Sequence, residues 1–129
     1  MSTPEANKAL VRRFLTELEA GQIDAAVALF APDATFWAPS TRAEIPIAKF
    51  GEALHWVNSR LEAPMRYDIG AMTAEDDRVC VLAESHGTLL DGKPYNNLYH
   101  FYFEVSDGLI CRGREYCDTA HIWQTLRAG

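Results

Sequence analysis

Asp107-Gly-Leu-Ile-Cys-Arg-Gly-Arg-Glu-Tyr-Cys-Asp118 ends a run that begins at Arg78 and reads as three consecutive antiparallel strands. The first strand runs from Arg78 to Leu90, the second from Tyr95 to Val105 and the third from Leu109 to Asp118. Asp91-Gly92 and Asp107-Gly108 separate them. Asp-Gly between apolar runs is a strong hairpin signal, because a tight turn with the strands' twist needs residues that tolerate positive φ. Everything upstream reads as helices covering one face of this sheet.

Ser2 or Thr3 is placed to cap a first helix, with Pro4 in its first turn and Glu5 positioned for a capping box. Ala6, Leu10, Phe14 and Leu18 form its apolar stripe, and Gly21 ends it. A second short helix is expected from about Asp24, broken by Pro32-Asp33, before a short strand over Ala34 to Trp37. Residues 38 to 46 read as an irregular surface loop, a possible rim or lid. Ile47, Phe50, Leu54, Val57 and Leu61 then give one apolar face to a helix from about Pro46 to Glu62. Pro64 stops it, and Met65 to Ala74 reads as the first long strand, turning at Asp76-Asp77. Helices followed by long antiparallel strands make an α+β fold, in one domain spanning residues 1–129.

The strand from Asn96 to Val105 does not alternate apolar with polar. Tyr99, Phe101 and Phe103 point one way, while Leu98, His100 and Tyr102 point the other. Helices can cover one such face. A second copy of the chain is the simplest cover for the other, so a homodimer through the sheet is expected.

The chain is 48% apolar and 23% charged, ordinary for a water-soluble domain. No apolar stretch approaches the roughly 20 residues that span a membrane, and the N-terminal residues lack a signal peptide's apolar core, so a cytoplasmic protein is expected. Net charge is -6. Without a basic cluster, binding to nucleic acid or to an anionic membrane is not expected. Cys111 and Cys117 would lie about 20 Å apart on one strand, too far for a bridge, and the odd count of three cysteines favours reduced thiols. His55, His86, His100 and His121 show no metal-ligand spacing, and neither a metal nor a cofactor is expected.

Two segments carry a family resemblance: Gly21-Gln-Ile-Asp-Ala-Ala-Val-Ala-Leu-Phe-Ala-Pro-Asp-Ala-Thr-Phe36, and Asp107-Gly-Leu-Ile followed by Arg114-Glu-Tyr-Cys-Asp-Thr119. The pattern resembles the SnoaL-like polyketide cyclases of the nuclear transport factor 2-like superfamily, which also holds ketosteroid isomerases, limonene epoxide hydrolases and scytalone dehydratase. The resemblance implies a cone-shaped barrel, a curved, mostly antiparallel sheet wrapped on N-terminal helices around an apolar pocket. It also implies that the base of ketosteroid isomerases is replaced by Ala38, and that the epoxide-opening pair falls on Ser85 and Gly87. Asp118 matches the acid/base of the cyclases.

A hairpin argument picks a face independently of the family. With a four-residue loop over Asp91 to Pro94 and a three-residue loop over Ser106 to Gly108, Ser85 lies opposite His100 and His100 opposite Arg114. Facing side chains stand about 5 Å apart. Alternation adds Tyr102, Tyr116 and Asp118 to the same face, and puts Glu84 and His86 on the other. One residue of slip in either turn would move a strand's set across.

On this reading Asp118 is the general acid or base, with His100 as a relay. Arg114, Tyr116, Ser85 and Tyr102 contact substrate; Trp37, Phe14 and Trp56 line the pocket, and His55 stands at its mouth or in solvent. The expected function is cofactor-independent acid/base chemistry on a small, apolar, oxygenated ring compound. The alternative is a non-catalytic ligand-binding or dimerisation module of the same fold.

Overall fold

The computed structural model describes residues 3–127. Helix α1 (Pro4–Glu19) starts at Thr3, whose Oγ1 accepts from the Ala6 N–H at 3.1 Å. Thr3 is therefore the cap, Glu5 pairs with Lys8 instead of closing a capping box, and Ser2 lies outside the described residues. Val11, Phe14, Leu15 and Leu18 make the buried face of α1. Gly21, at φ 74°, turns the chain into α2 (Ile23–Val27).

The strands are β1 (Phe30–Ala38), β2 (Ala43–Pro46), β3 (Arg66–Glu75), β4 (Arg78–Thr88), β5 (Pro94–Tyr95), β6 (Leu98–Ser106) and β7 (Leu109–Cys117). Helix α3 (Ile47–Ser59) lies between β2 and β3, and α4 (Thr119–Gln124) follows β7. The sheet order is β2-β1-β7-β6-β4-β3, with β5 paired to β4. All neighbours are antiparallel except β1 and β7. The sheet curls around the helices and stays open, because β2 and β3 are its two edges. This is the expected α+β cone.

Four elements differ from the sequence reading. β1 begins at Phe30, four residues early, because Pro32-Asp33 is absorbed in a register shift between Phe30 and Thr35 rather than ending the segment. The expected loop 38–46 contributes β2, which pairs with β1 from Thr35–Pro46 to Ala38–Ala43 and leaves only a short turn at its tip. α3 stops at Ser59, since the residues after it bond elsewhere: the Leu90 N–H goes to Arg60 O and the Glu62 N–H to Thr88 O. α4 was not expected at all.

The core sits between the helices and the inner face of the sheet. Phe14 meets Phe30 and Phe103 edge-on, at 5.2 and 5.7 Å between ring centroids. Phe36 stacks on Phe50 of α3 at 3.7 Å. Below Phe36 lies Gly113 of β7, where a Cβ would stand 2.6 Å from the Phe36 ring and 3.3 Å from that of Phe103. Phe36 is 1% exposed and clamped by Phe50, so it has little room to yield. Gly113→Ala is expected to destabilise the fold by about 1–3 kcal/mol through overpacking, read as a lower urea midpoint with an unchanged m-value. An unchanged midpoint would show that the ring can move aside.

Candidate functional site

Register decides which side chains enter the cone. β4 pairs with β6 so that Leu82 faces His100 and Glu84 faces Leu98. The loop between β4 and β5 is Leu89–Lys93, one residue longer than expected, with Thr88 opposite Pro94. Relative to the expected pairing, β4 is shifted by three residues, an odd number, and its faces exchange. The second hairpin has Ser106 opposite Leu109 across Asp107-Gly108, then a bulge between Glu104 and Val105. His100 therefore faces Tyr116, and Arg114 faces Tyr102. That shift is even, so His100, Tyr102, Arg114 and Tyr116 do share a face.

The shared face is the outer one. Together with Cys80, Glu104 and Arg112, these four side chains line a shallow depression on the convex side of the sheet. They form a network there. Arg112 pairs with Glu44 at 3.1 Å and with Glu104 at 3.6 Å, Tyr102 donates to Glu104 at 2.9 Å, and Arg114 donates to Tyr116 at 3.1 Å. Trp37 lies on the same side, 5.2 Å from the Tyr116 ring and beneath the Arg114 guanidinium. Asp118 caps α4, its Oδ1 accepting from the His121 N–H at 3.3 Å, and is exposed. His55 is exposed and bonded to Asp24 at 2.8 Å. The expected convergence of Ser85, His100, Arg114 and Asp118 on one cavity does not occur.

Glu84 and His86 are also on the outer side, not opposite to His100 as expected. His86 Nε2 lies 2.8 Å from Asp68 and 3.3 Å from Glu84. These three residues come from two strands, so no linear spacing announces them.

The inner face encloses a cavity of ≈ 180 Å³. α1 contributes Phe14 and Leu18, and α3 contributes Phe50, Leu54 and Val57. Ile122 and Leu126, from α4 and the turn after it, also line it, and Ser40, Thr41 and Trp56 stand at its opening. Phe14 and Trp56 are both among the lining residues, and Trp37 is not. Val57 and Leu54 are only half-buried because the apolar face of α3 looks partly into this space.

One carboxyl group lines the cavity, that of Glu115, which faces Phe101 across β6 and β7. Burial pushes its pKa from 4.5 up to about 7, with the Cys117 thiol pulling weakly the other way. Its side chain is half-buried. Cys117 is itself pushed up to about 12, first by burial and then by the Glu115 charge, so it remains a thiol. Tyr67, Tyr95 and Tyr99 share the cavity, and burial raises all three phenols above their ordinary value.

A buried network positions two of these phenols. Asn97 Nδ2 donates to the Tyr95 hydroxyl at 3.0 Å, and the Asn97 N–H donates to Ser85 Oγ at 3.1 Å. Ser85 Oγ lies 3.1 Å from the Tyr99 hydroxyl, which is 3.5 Å from that of Tyr95. Ser85 and Asn97 are both fully buried. Ser85 therefore acts one step behind the cavity wall rather than on it. Glu115 was missed because its face follows from the register alone; in sequence it reads as a charge beside two arginines.

A raised carboxyl pKa has a consequence for stability. Between pH 4.5 and about 7 the folded state binds a proton at Glu115 that the unfolded chain has already released. Stability therefore falls as pH rises through that window, by at most about 3 kcal/mol for this group. Urea denaturation of the wild type should show this loss relative to Glu115→Gln, with the difference flat below pH 4.5 and above about 7. Parallel curves across the window would mean that Glu115 titrates normally.

The fold and the site define a class: a small α+β cone with a carboxylic acid inside an apolar cavity. Residues 11–113 match the SnoaL-like domain family, and the chain belongs to that family. Among solved structures, AclR of Streptomyces galilaeus, a proposed hydroxylase, is 13% identical at a TM-score of 0.85, over 97% of this chain and 98% of its own. PrhC of Penicillium brasilianum is 17% identical at 0.86, over 98% and 89%. A proposed polyketide cyclase of Xanthomonas campestris pv. campestris is 24% identical at 0.78, over 92% and 95%. No curated protein matches the sequence.

Proposed function

We propose that this protein is a cofactor-independent acid/base enzyme that moves a proton on a small, largely apolar, oxygenated ring compound, in an isomerisation, cyclisation or dehydration. The observation that carries the reading is the Glu115 carboxyl, the one acid of an apolar cavity, held at a pKa of about 7. A group with that pKa is present in both protonation states near neutral pH, as a general acid or base must be. The phenols do the complementary work. Their raised pKa values keep Tyr67, Tyr95 and Tyr99 protonated, so they donate hydrogen bonds rather than accept protons.

The Glu115 carboxylate would take a proton from a carbon beside a carbonyl, and the Tyr99 hydroxyl would donate to the enolate oxygen that forms. Ser85 supports this role. Its Oγ accepts from the Asn97 N–H, so its own proton can go to the Tyr99 oxygen and leave the phenol proton for the ligand. The resulting Glu115 carboxylic acid then returns the proton at another carbon or to a leaving oxygen. Ala38 favours the same reading. It lines the cavity, and in the parallel pairing of β1 with β7 it follows the Trp37–Arg114 pair by one residue, as Glu115 does. The wall position where the resemblance implies a base thus carries a methyl group, and the adjoining strand supplies the acid beside it.

The experiment is hydrogen–deuterium exchange at the α-carbons of small cyclic ketones in D₂O, followed by NMR. Wild type should accelerate exchange with a pH midpoint near 7, and Glu115→Gln should lower the rate at least about 100-fold while ligand still binds. No exchange above the buffer rate, or exchange unaffected by Glu115→Gln, would favour the non-catalytic binding module.

We further infer a homodimer through the outer face of the sheet. Leu82 and Leu98 are 51% and 58% exposed there, opposite His100 and Glu84 on the neighbouring strands, and Tyr116 is 45% exposed. Leu82→Glu with Leu98→Glu should convert a species of twice the chain mass into one of the chain mass in light scattering; a wild-type monomer at micromolar concentration would remove the inference. A cytoplasmic location fits three cysteines that stay unpaired. Among the described residues no helix is long and apolar enough to cross a membrane.

A further inference from the structure

The opening of the cavity differs in charge from its interior. Arg127 is the one cation among the described lining residues, and its guanidinium lies 4.9 Å from the centre of the Trp56 ring. Arg60, at the end of α3, lies 6.0 Å from the same ring. Both guanidinium groups thus lie against one indole, Arg127 among the residues that line the cavity and Arg60 just outside them. Among the described residues neither has a carboxylate within ion-pair distance. In a chain of net charge -6 this makes a local positive focus against the general field.

Size and charge together limit what fits. A cavity of ≈ 180 Å³ is close to the roughly 150 Å³ that accommodates benzene, so it admits about one ring. Deep in it, an anion would be repelled by ionised Glu115 and would meet apolar walls. At the rim, an anion meets the forked Arg127 guanidinium, which suits a planar carboxylate and rests on the Trp56 indole, with Arg60 adding its charge from the same ring. On the proposed reading of this cavity as the functional site, we infer that its ligand is a monocyclic oxo-acid. The ring and its carbonyl lie inside, and the carboxylate lies at the rim against Arg127 and Arg60.

The test compares 3-oxocyclohexanecarboxylate with its methyl ester by calorimetry. Wild type is expected to bind the acid about five- to tenfold more tightly, the range for one or two partly exposed charge pairs, and the advantage should shrink at high salt. Arg60→Gln with Arg127→Gln should abolish the preference for the acid while leaving the ester's affinity in place. Arg127→Lys should restore part of it. Equal binding of acid and ester by wild type, binding of neither, or a preference that survives the double glutamine variant would overturn the inference. Glu115→Gln separates the two readings: it should keep the preference for the acid. If ketone exchange fails while the preference holds, the catalytic reading falls and the ligand class stands.

Discussion

The contact on which the rest of the structure depends is the Phe36 ring lying against the bare backbone of Gly113. Among the described strands β1 and β7 are the one parallel pair, and this contact lies between them. Phe36 can descend there because Gly113 has no side chain, and Phe50 then stacks on its other side and fixes α3. Beyond this stack the inner wall continues with Glu115 and Cys117 on β7 and with Phe101 and Tyr99 on β6. The helices cannot follow the wall to its end. The space they leave is the cavity, so the Phe36–Gly113 contact and the cavity wall at Glu115 and Cys117 follow one another along a single strand.

Opposite electrostatic regimes lie on the two sides of that strand. Arg112, Arg114 and Tyr116 point outward into a network with Glu44 and Glu104, where each charge has a partner and water is close. Such a network orders side chains and contributes little to stability. Glu115 points inward and has no cation near it to stabilise its charge, so desolvation dominates its titration. The tyrosines do not offset this, because a phenol whose pKa is raised offers a proton but no charge. The result is an acid pushed up to about 7 with a thiol but no cation beside it, a state that costs stability and suits proton transfer.

How much of this was legible in the sequence follows from how each feature is encoded. Helices α1 and α3, the two Asp-Gly turns and the α+β order depend on local periodicity and on turn chemistry, and those signals survive folding. The both-sided aromatic character of β6 was legible for the same reason. The site was not, because faces depend on parity. An Asp-Gly pair marks where a hairpin turns but does not count the residues in its loop. The first hairpin holds Leu89 in its loop, since the Leu89 N–H bonds Lys93 O, and the second carries a bulge after Glu104. One error was odd and the other even. His100 and Arg114 therefore kept each other's company on the wrong side of the sheet, while Ser85 went inside without them.

The place of Asp118 shows what a family pattern carries and what it leaves behind. The residue stands where the resemblance puts an acid, at the end of the last strand, yet its carboxylate is used to begin α4. Its backbone N–H is held in turn by Asn97 Oδ1, the same amide that supports Tyr95 through its other end. Asp118 thus belongs to the frame of the cavity and not to its surface. By starting α4 it brings Ile122, Leu126 and Arg127 over the opening, which gives the cavity an apolar cover and a cationic rim. The carboxyl inside is three residues upstream, and an odd step along a strand is what carries a side chain from the outer face to the inner one. Within this fold the carboxyl that faces the cavity and the aspartate that ends the strand are therefore different residues, and the aspartate's carboxylate is engaged in starting α4.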